Sequence, residues 1–135
     1  MDVSELYQRY AAGERDFPGV DLSNANLNIG GLEDYEPGKN DLSGINLSGA
    51  NLSGATIGYV NLSGANLHSA DLTRAHLSDT KLIGADVSDA ILDFAEIAAD
   101  LTDANIRESS LEHTTFISAD RSESRLHWSI LFYCQ

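Results

Sequence analysis

Residues 50–67 decide the fold: Ala50-Asn51-Leu52-Ser53-Gly54, Ala55-Thr56-Ile57-Gly58-Tyr59, Val60-Asn61-Leu62-Ser63-Gly64, then Ala65-Asn66-Leu67. A large apolar residue centres every five, and a smaller one stands two positions before it. The residue just before the centre is usually Asp or Asn, and the residue after it is often Ser or Thr. Working outward, the same period runs back through Leu47, Leu42, Leu32, Leu27 and Leu22 to Phe17, broken only by Pro37. Forward, it runs through Leu72, Leu77, Leu82, Val87 and Leu92 to Ile97. There the phase slips by one, within 97–101, and resumes at Leu101, Ile106, Leu111, Phe116, Leu126 and Leu131, with Arg121 once in the apolar slot. A period of five fits neither a helix nor a flat strand. It fits a side whose two inward residues are two apart, followed by a turn. Four such sides close a coil of about twenty residues, and coils stacked roughly 4.8 Å apart pair their backbones. The span allows about six coils, a rod of roughly 29 Å, filled by a Leu/Ile/Phe column with Ala in the tight slots.

These A(D/N)LXX units resemble the pentapeptide-repeat family. The resemblance runs from Phe17 to Tyr133 and implies an all-β solenoid, a right-handed quadrilateral β-helix. Right-handedness comes from the resemblance, not from the spacing. The segment from Leu6 to Phe17 also resembles the N-terminal cap common in cyanobacterial members.

Residues 2–13 read as a short helix, with Val3, Leu6, Tyr7 and Tyr10 on one face. Asp2 or Ser4 can cap its start and Gly13 can end it. Such a helix is expected to lid the open edge of the first coil, giving a helical cap over 1–15 and a repeat domain over 16–135. Residues 33–40, with Pro37-Gly38, read as one degenerate side or a bulging loop. The end of the chain, 126–134, is its most apolar part and holds the only Trp and the only Cys. Trp128, Phe132 and Tyr133 there either cap the last coil or form a self-association surface. The family resemblance adds dimerisation through that end, so a monomer or a C-terminal homodimer is expected.

Composition excludes several classes. Eight Lys and Arg stand against 21 Asp and Glu, a net charge of −13. Direct binding to nucleic acid needs a basic face, and an anionic membrane surface is disfavoured likewise. No apolar run spans a bilayer, and the acidic start has no signal core, so a cytoplasmic protein is expected. The four His are scattered without metal-ligand spacing. The Ser-Gly pairs are corner residues, not a nucleotide cradle. Neither a cofactor nor enzymatic activity is expected.

Charge is uneven. Residues 1–41 hold nine acids and three bases, 42–70 hold no charged residue, and 71–112 hold ten acids and three bases. A uniform coil of twenty places Asp21, Asp41, Asn61, Lys81, Asp100 and Asp120 in one outward row. It places Asn26, Asn46, Asn66, Asp86, Asn105 and Arg125 in another, where Asn side chains could form a ladder. Two functions follow. The first is a non-catalytic scaffold that displays a rigid surface to an unidentified protein partner. Apolar recognition would then centre on Trp128, Phe132 and Tyr133. The second draws on the resemblance, since some family members mimic DNA and bind DNA gyrase. In that case Asp21, Asp41, Asp100 and Asp120 would meet a basic groove.

Overall fold

The computed structural model describes residues 1–30 and 39–117 of the chain. Within them, the five-residue unit is a short extended side followed by a corner, with the exception of the unit in β2 described below. At the corner the backbone passes through a residue of positive φ, such as Gly64 at 69° or Asn24 at 57°. The amide after it returns to the carbonyl of the central apolar residue, as Ala65 N–H does to Leu62 O at 3.0 Å. Positive φ at the third position of a four-residue turn is the type II requirement, and glycine meets it without strain. Tyr59 and Phe94 also take this corner, at φ 63° and 60°; for such side chains the conformation costs about 1–2 kcal/mol.

Successive turns of the chain stack in parallel, in four columns. One runs Asp16–Asn46–Asn66–Asp86–Asn105, and the next Asp21–Asn51–Asp71–Ile91–Ser110. The third runs Asn26–Thr56–His76–Glu96–Thr115, and the fourth Asp41–Asn61–Lys81–Asp100. Strands β1 (His76–Lys81), β2 (Glu96–Asp100) and β3 (Thr115–Phe116) form a parallel sheet in that order. Backbone bonds join turn to turn throughout, for example Leu42 N–H to Asn61 O at 2.9 Å and Leu62 N–H to Lys81 O at 2.7 Å.

Paired residues are twenty apart in most of the chain but thirty apart at its start, where Asp16, Asp21 and Asn26 pair with Asn46, Asn51 and Thr56. Ten residues between Asn26 and Asp41 therefore stand outside the coil count. This corrects the two rows expected from a uniform period. Asp21 stacks on Asn51 rather than Asp41, two columns away, and Asn26 stacks on Thr56 rather than Asn46. Asn40 ties off the downstream end: its Oδ1 accepts from the Ile29 and Gly30 amides at 3.0 and 3.2 Å, and its Nδ2 donates to Asn28 Oδ1 at 2.8 Å. Residues 31–38 lie outside the described residues, so the reading of 33–40 is met only at Lys39 and Asn40. Farther on, the spacing falls to nineteen: Ser78 faces Ala98, but Lys81 faces Asp100. The corner that Asp79 makes at φ 55° has no left-handed counterpart in β2.

The inward column from Phe17 to Leu111 is at most 3% exposed at every described position. Each buried aliphatic chain contributes about 1.5–3 kcal/mol of hydrophobic transfer. The second inward slot is mostly alanine, but Thr80, Ser109 and Thr114 also occupy it, buried. Their hydroxyls donate to the carbonyls of Ile57, Val87 and Leu92 at 2.7, 2.6 and 2.7 Å, which satisfies the buried polar atoms.

Helix α1 (Val3–Ala11) is capped by Asp2, which accepts from Ser4 N–H at 2.8 Å; Ala12 is its C-cap and Gly13 follows at φ 100°. Leu6 enters the core completely, and Val3, Tyr7 and Tyr10 pack partly buried against it. The phenols of Tyr7 and Tyr10 donate to the carbonyls of Leu27 and Ser43 at 2.7 and 2.6 Å. No helix among the described residues is long and apolar enough to cross a membrane.

Candidate interaction surface

With two residues of each unit inside, three face outward: the one before the central apolar residue, the one after it, and the corner. Except at Asp16, which precedes Pro18, the Asp or Asn of the first slot has a backbone partner. Its Oδ1 accepts the amide two residues on, at 3.0 Å from Ser23 to Asp21, 2.9 Å from Ser43 to Asp41 and 3.1 Å from Thr102 to Asp100. These are Asx turns, which pin the start of each corner. The Thr102 hydroxyl adds a 2.6 Å bond to the same Asp100 oxygen. Hydrogen bonds from the Ser23 hydroxyl and amide hold the Asp21 carboxyl below the usual carboxylate range, against some desolvation. Asn and Asp thus share one structural role here, and the charge is additional to it.

Some of these side chains also bridge neighbouring turns. Asn46 Nδ2 donates to Asp16 Oδ1 at 3.1 Å and Asn61 Nδ2 to Asp41 Oδ1 at 3.3 Å. The column of the expected Asn ladder therefore begins at Asp16, not Asn26, and its side-chain bonds run between Asn and Asp, from Asn46 to Asp16 at 3.1 Å and from Asn105 to Asp86 at 3.5 Å. Arg125, its last expected member, lies outside the described residues.

Of the expected partner-binding residues, Asp41 and Asp100 do share a column. Asn61 and Lys81 stand between them, and three steps separate them by about 14 Å. Asp21 faces another side. Asp120, Trp128, Phe132 and Tyr133 lie outside the described residues, as do Arg121 and Cys134. The described acids are spread over all four columns and form no continuous stripe. Several pair with imidazoles at the surface: His68 with Asp89 at 3.6 Å, His76 with Glu96 at 3.1 Å and His113 with Glu112 at 3.7 Å. Among the described residues, no group of three or more His, Cys, Asp or Glu side chains could hold a metal ion.

One unit departs from the outward pattern twice. Ile91 takes a slot that is Asp21, Asn51, Asp71 and Ser110 elsewhere in its column, and it is 42% exposed. Phe94 takes the corner of the same unit and is 48% exposed. Its ring stacks on the His113 imidazole with centroids 5.0 Å apart, and the Arg74 guanidinium lies 5.0 Å from its centroid. The two neighbours come from the turns on either side, so the stack spans three turns. The inward period gives no sign of it, because burial constrains only the inward slots. The signal was present as two apolar residues in the outward slots of a single unit.

A family model described as pentapeptide repeats, with eight copies, matches residues 40–68, 70–98 and 97–131. Among solved structures, the chain is similar to HetL, a pentapeptide repeat protein involved in heterocyst differentiation regulation from the cyanobacterium Nostoc sp. strain PCC 7120. Identity is 32% over 88% of this chain and 48% of that one, with a TM-score of 0.62. The chain thus spans about half the length of HetL. It is also similar to a pentapeptide repeat protein from the Arabidopsis thaliana thylakoid lumen, at 27% identity over 91% of this chain and 77% of that one, with a TM-score of 0.52. QnrB1, a plasmid-mediated fluoroquinolone resistance protein, matches at 18% identity over 85% and 66% of the two chains, with a TM-score of 0.31; that likeness is too remote to bear on function. No curated protein sequence matches.

Proposed function

The chain belongs to the pentapeptide-repeat family, whose fold is a right-handed quadrilateral β-helix, and from that premise we propose that it is a non-catalytic module displaying a rigid outer surface to a protein partner. The observation that carries this reading is the double use of the outward Asp and Asn side chains. All but Asp16, which precedes Pro18, are tied to their own corners, and some also to the next turn, so the surface is ordered before a partner arrives and little entropy is lost on binding. In this reading the chain forms about six coils over 16–135, at the coil spacing of a parallel ladder. Residues 1–15, with Leu6 in the core and two phenols on carbonyls of the first turns, act as the lid. The protein works in the cytoplasm, as a monomer or as a dimer through Trp128, Phe132 and Tyr133, and touches neither nucleic acid nor membrane directly.

The net charge of −13 favours a second reading: an acidic mimic of DNA that binds gyrase or another DNA-binding protein through Asp41, Asp100 and Asp120, with Asp21 on a separate face. Capture of partners by the immobilised protein at low and high salt tests both. A partner kept at high salt supports the first. Salt-sensitive binding, lost when these Asp residues become Asn and accompanied by inhibition or quinolone protection of purified gyrase, supports the second. No partner under either condition would count against both.

A further inference from the structure

Resting on the interaction-module reading, we infer that the unit Ile91 to Phe94, with Arg74 and His113, is the contact centre, and that its partner presents a basic segment bearing an aliphatic or aromatic side chain. Ile29, Tyr59, Ile83 and Ile117 are also exposed, but each stands alone in its unit; Ile91 and Phe94 fall in one unit, three residues apart on the same side of the rod. Phe94 holds a left-handed φ of 60°, a conformation glycine adopts without strain at Gly64 and Gly84 in the same slot. A bulky side chain kept in a strained, exposed corner points to a role outside folding. The stack on Arg74 and His113 keeps the ring in place across three turns, and rigid aromatic and arginine side chains ringed by polar groups are the usual centres of protein interfaces.

Charge selects the partner. Asp71, Asp93 and Glu112 stand in the same column of units, against the single cation Arg74, which already covers the ring. Asp93 is fixed there: its Oδ1 accepts from the Ser110 hydroxyl at 2.6 Å and from the Glu112 amide at 3.0 Å. An acidic segment would be repelled by this rim. A basic segment without an apolar side chain would find equal attraction on the other acidic faces and would not settle here. A segment that carries both a cation and an apolar anchor matches this unit, where two exposed apolar side chains share one side with Asp93 and Glu112.

Selection of random twelve-residue displayed peptides on the full-length protein tests the inference. Phe94→Gly keeps the corner conformation, and Ile91→Asn restores the residue type of Asn51 in its column, so urea midpoints should stay close to wild type. The enriched peptides should combine Lys or Arg with an aliphatic or aromatic residue. Their affinity should fall roughly tenfold or more in either variant, and change little in Asp41→Asn with Asp100→Asn. Peptides that bind Phe94→Gly and Ile91→Asn as well as wild type would overturn the contact centre while leaving the module reading standing. An acidic or uncharged consensus would overturn the partner chemistry. No enrichment at all would count against both inference and module.

Discussion

The Tyr7 hydroxyl donates a 2.7 Å hydrogen bond to the carbonyl of Leu27, joining α1 to the first turn of the coil across twenty residues. Burial, with smaller effects from the Asp41 carboxylate and Tyr10, raises the phenol well above its ordinary pKa near 10. The folded protein therefore keeps this proton where the unfolded chain has lost it. Its contribution to stability is complete below pH 10 and declines as pH rises further, by at most about 1.4 kcal/mol per pH unit. Tyr7→Phe should cost about 1 kcal/mol at pH 7 and should flatten the alkaline decline. Urea unfolding of both proteins from pH 8 to 11.5 checks this; parallel curves would show that Tyr7 is not the group responsible.

Asp41→Asn and Asp100→Asn should each leave stability within about 0.5 kcal/mol, because Asn offers the same Oδ1 to the corner amide, as Asn61 does to Ser63 at 3.0 Å. Asp41→Ala, which removes the acceptor, should cost about 1 kcal/mol. Thermal melts of the three variants distinguish a structural role of the oxygen from a role of the charge.

Thr80→Val keeps the volume of a fully enclosed side chain but removes the donor to Ile57 O. A loss of about 1–2 kcal/mol is expected. Thr114→Val should behave alike at Leu92 O. If chemical denaturation finds either variant more stable than wild type, the hydroxyl is dispensable and the slot is simply apolar.

Removing residues 31–40 should leave the repeat intact. The deletion joins Gly30 to Asp41, the residues that would be consecutive in an uninterrupted coil, given that Asn26 pairs with Thr56 and Asp41 with Asn61. The bonds made by Asn40 are lost, while a shorter connection lowers the entropy of closure, so stability should change by only about 1 kcal/mol. Amide spectra should keep the shifts of residues 46–117. Their wholesale displacement would mean that the ten residues belong to the coil.

The inward half of this architecture is legible in the sequence because burial demands one residue type. Leu52, Ile57 and Leu62 announce themselves by spacing alone, and the small slot follows from Ala50, Ala55 and Ala65. Register is not legible in the same way. A ten-residue insertion is a multiple of the period, so it leaves the apolar phase unbroken and silently moves Asp21 to another face. The one-residue loss around Ala98 does break the phase and is visible at once, although only the pairing of Ser78 with Ala98 and Lys81 with Asp100 locates it. The surface is least legible. Asp21, Asp41 and Asp100 look like charges offered to a partner, yet their first role is to hold a backbone amide. Phe94 looks like a stray aromatic until Arg74 and His113 are seen beside it.

The ladder that joins each turn to the next also sets how the molecule responds to force. Its hydrogen bonds, such as Leu47 N–H to Asn66 O at 2.8 Å, lie along the stacking direction. Tension applied to the two ends peels one layer at a time instead of shearing many strands together. Each layer frees twenty residues where Asn46 pairs with Asn66, and nineteen where Asp86 pairs with Asn105. At about 3.3–3.6 Å per residue, that is a release of roughly 65–70 Å per step. Held between two anchors, the rod would act as a spring that yields in nearly equal increments beyond the longer first layer, where Asp16 pairs with Asn46.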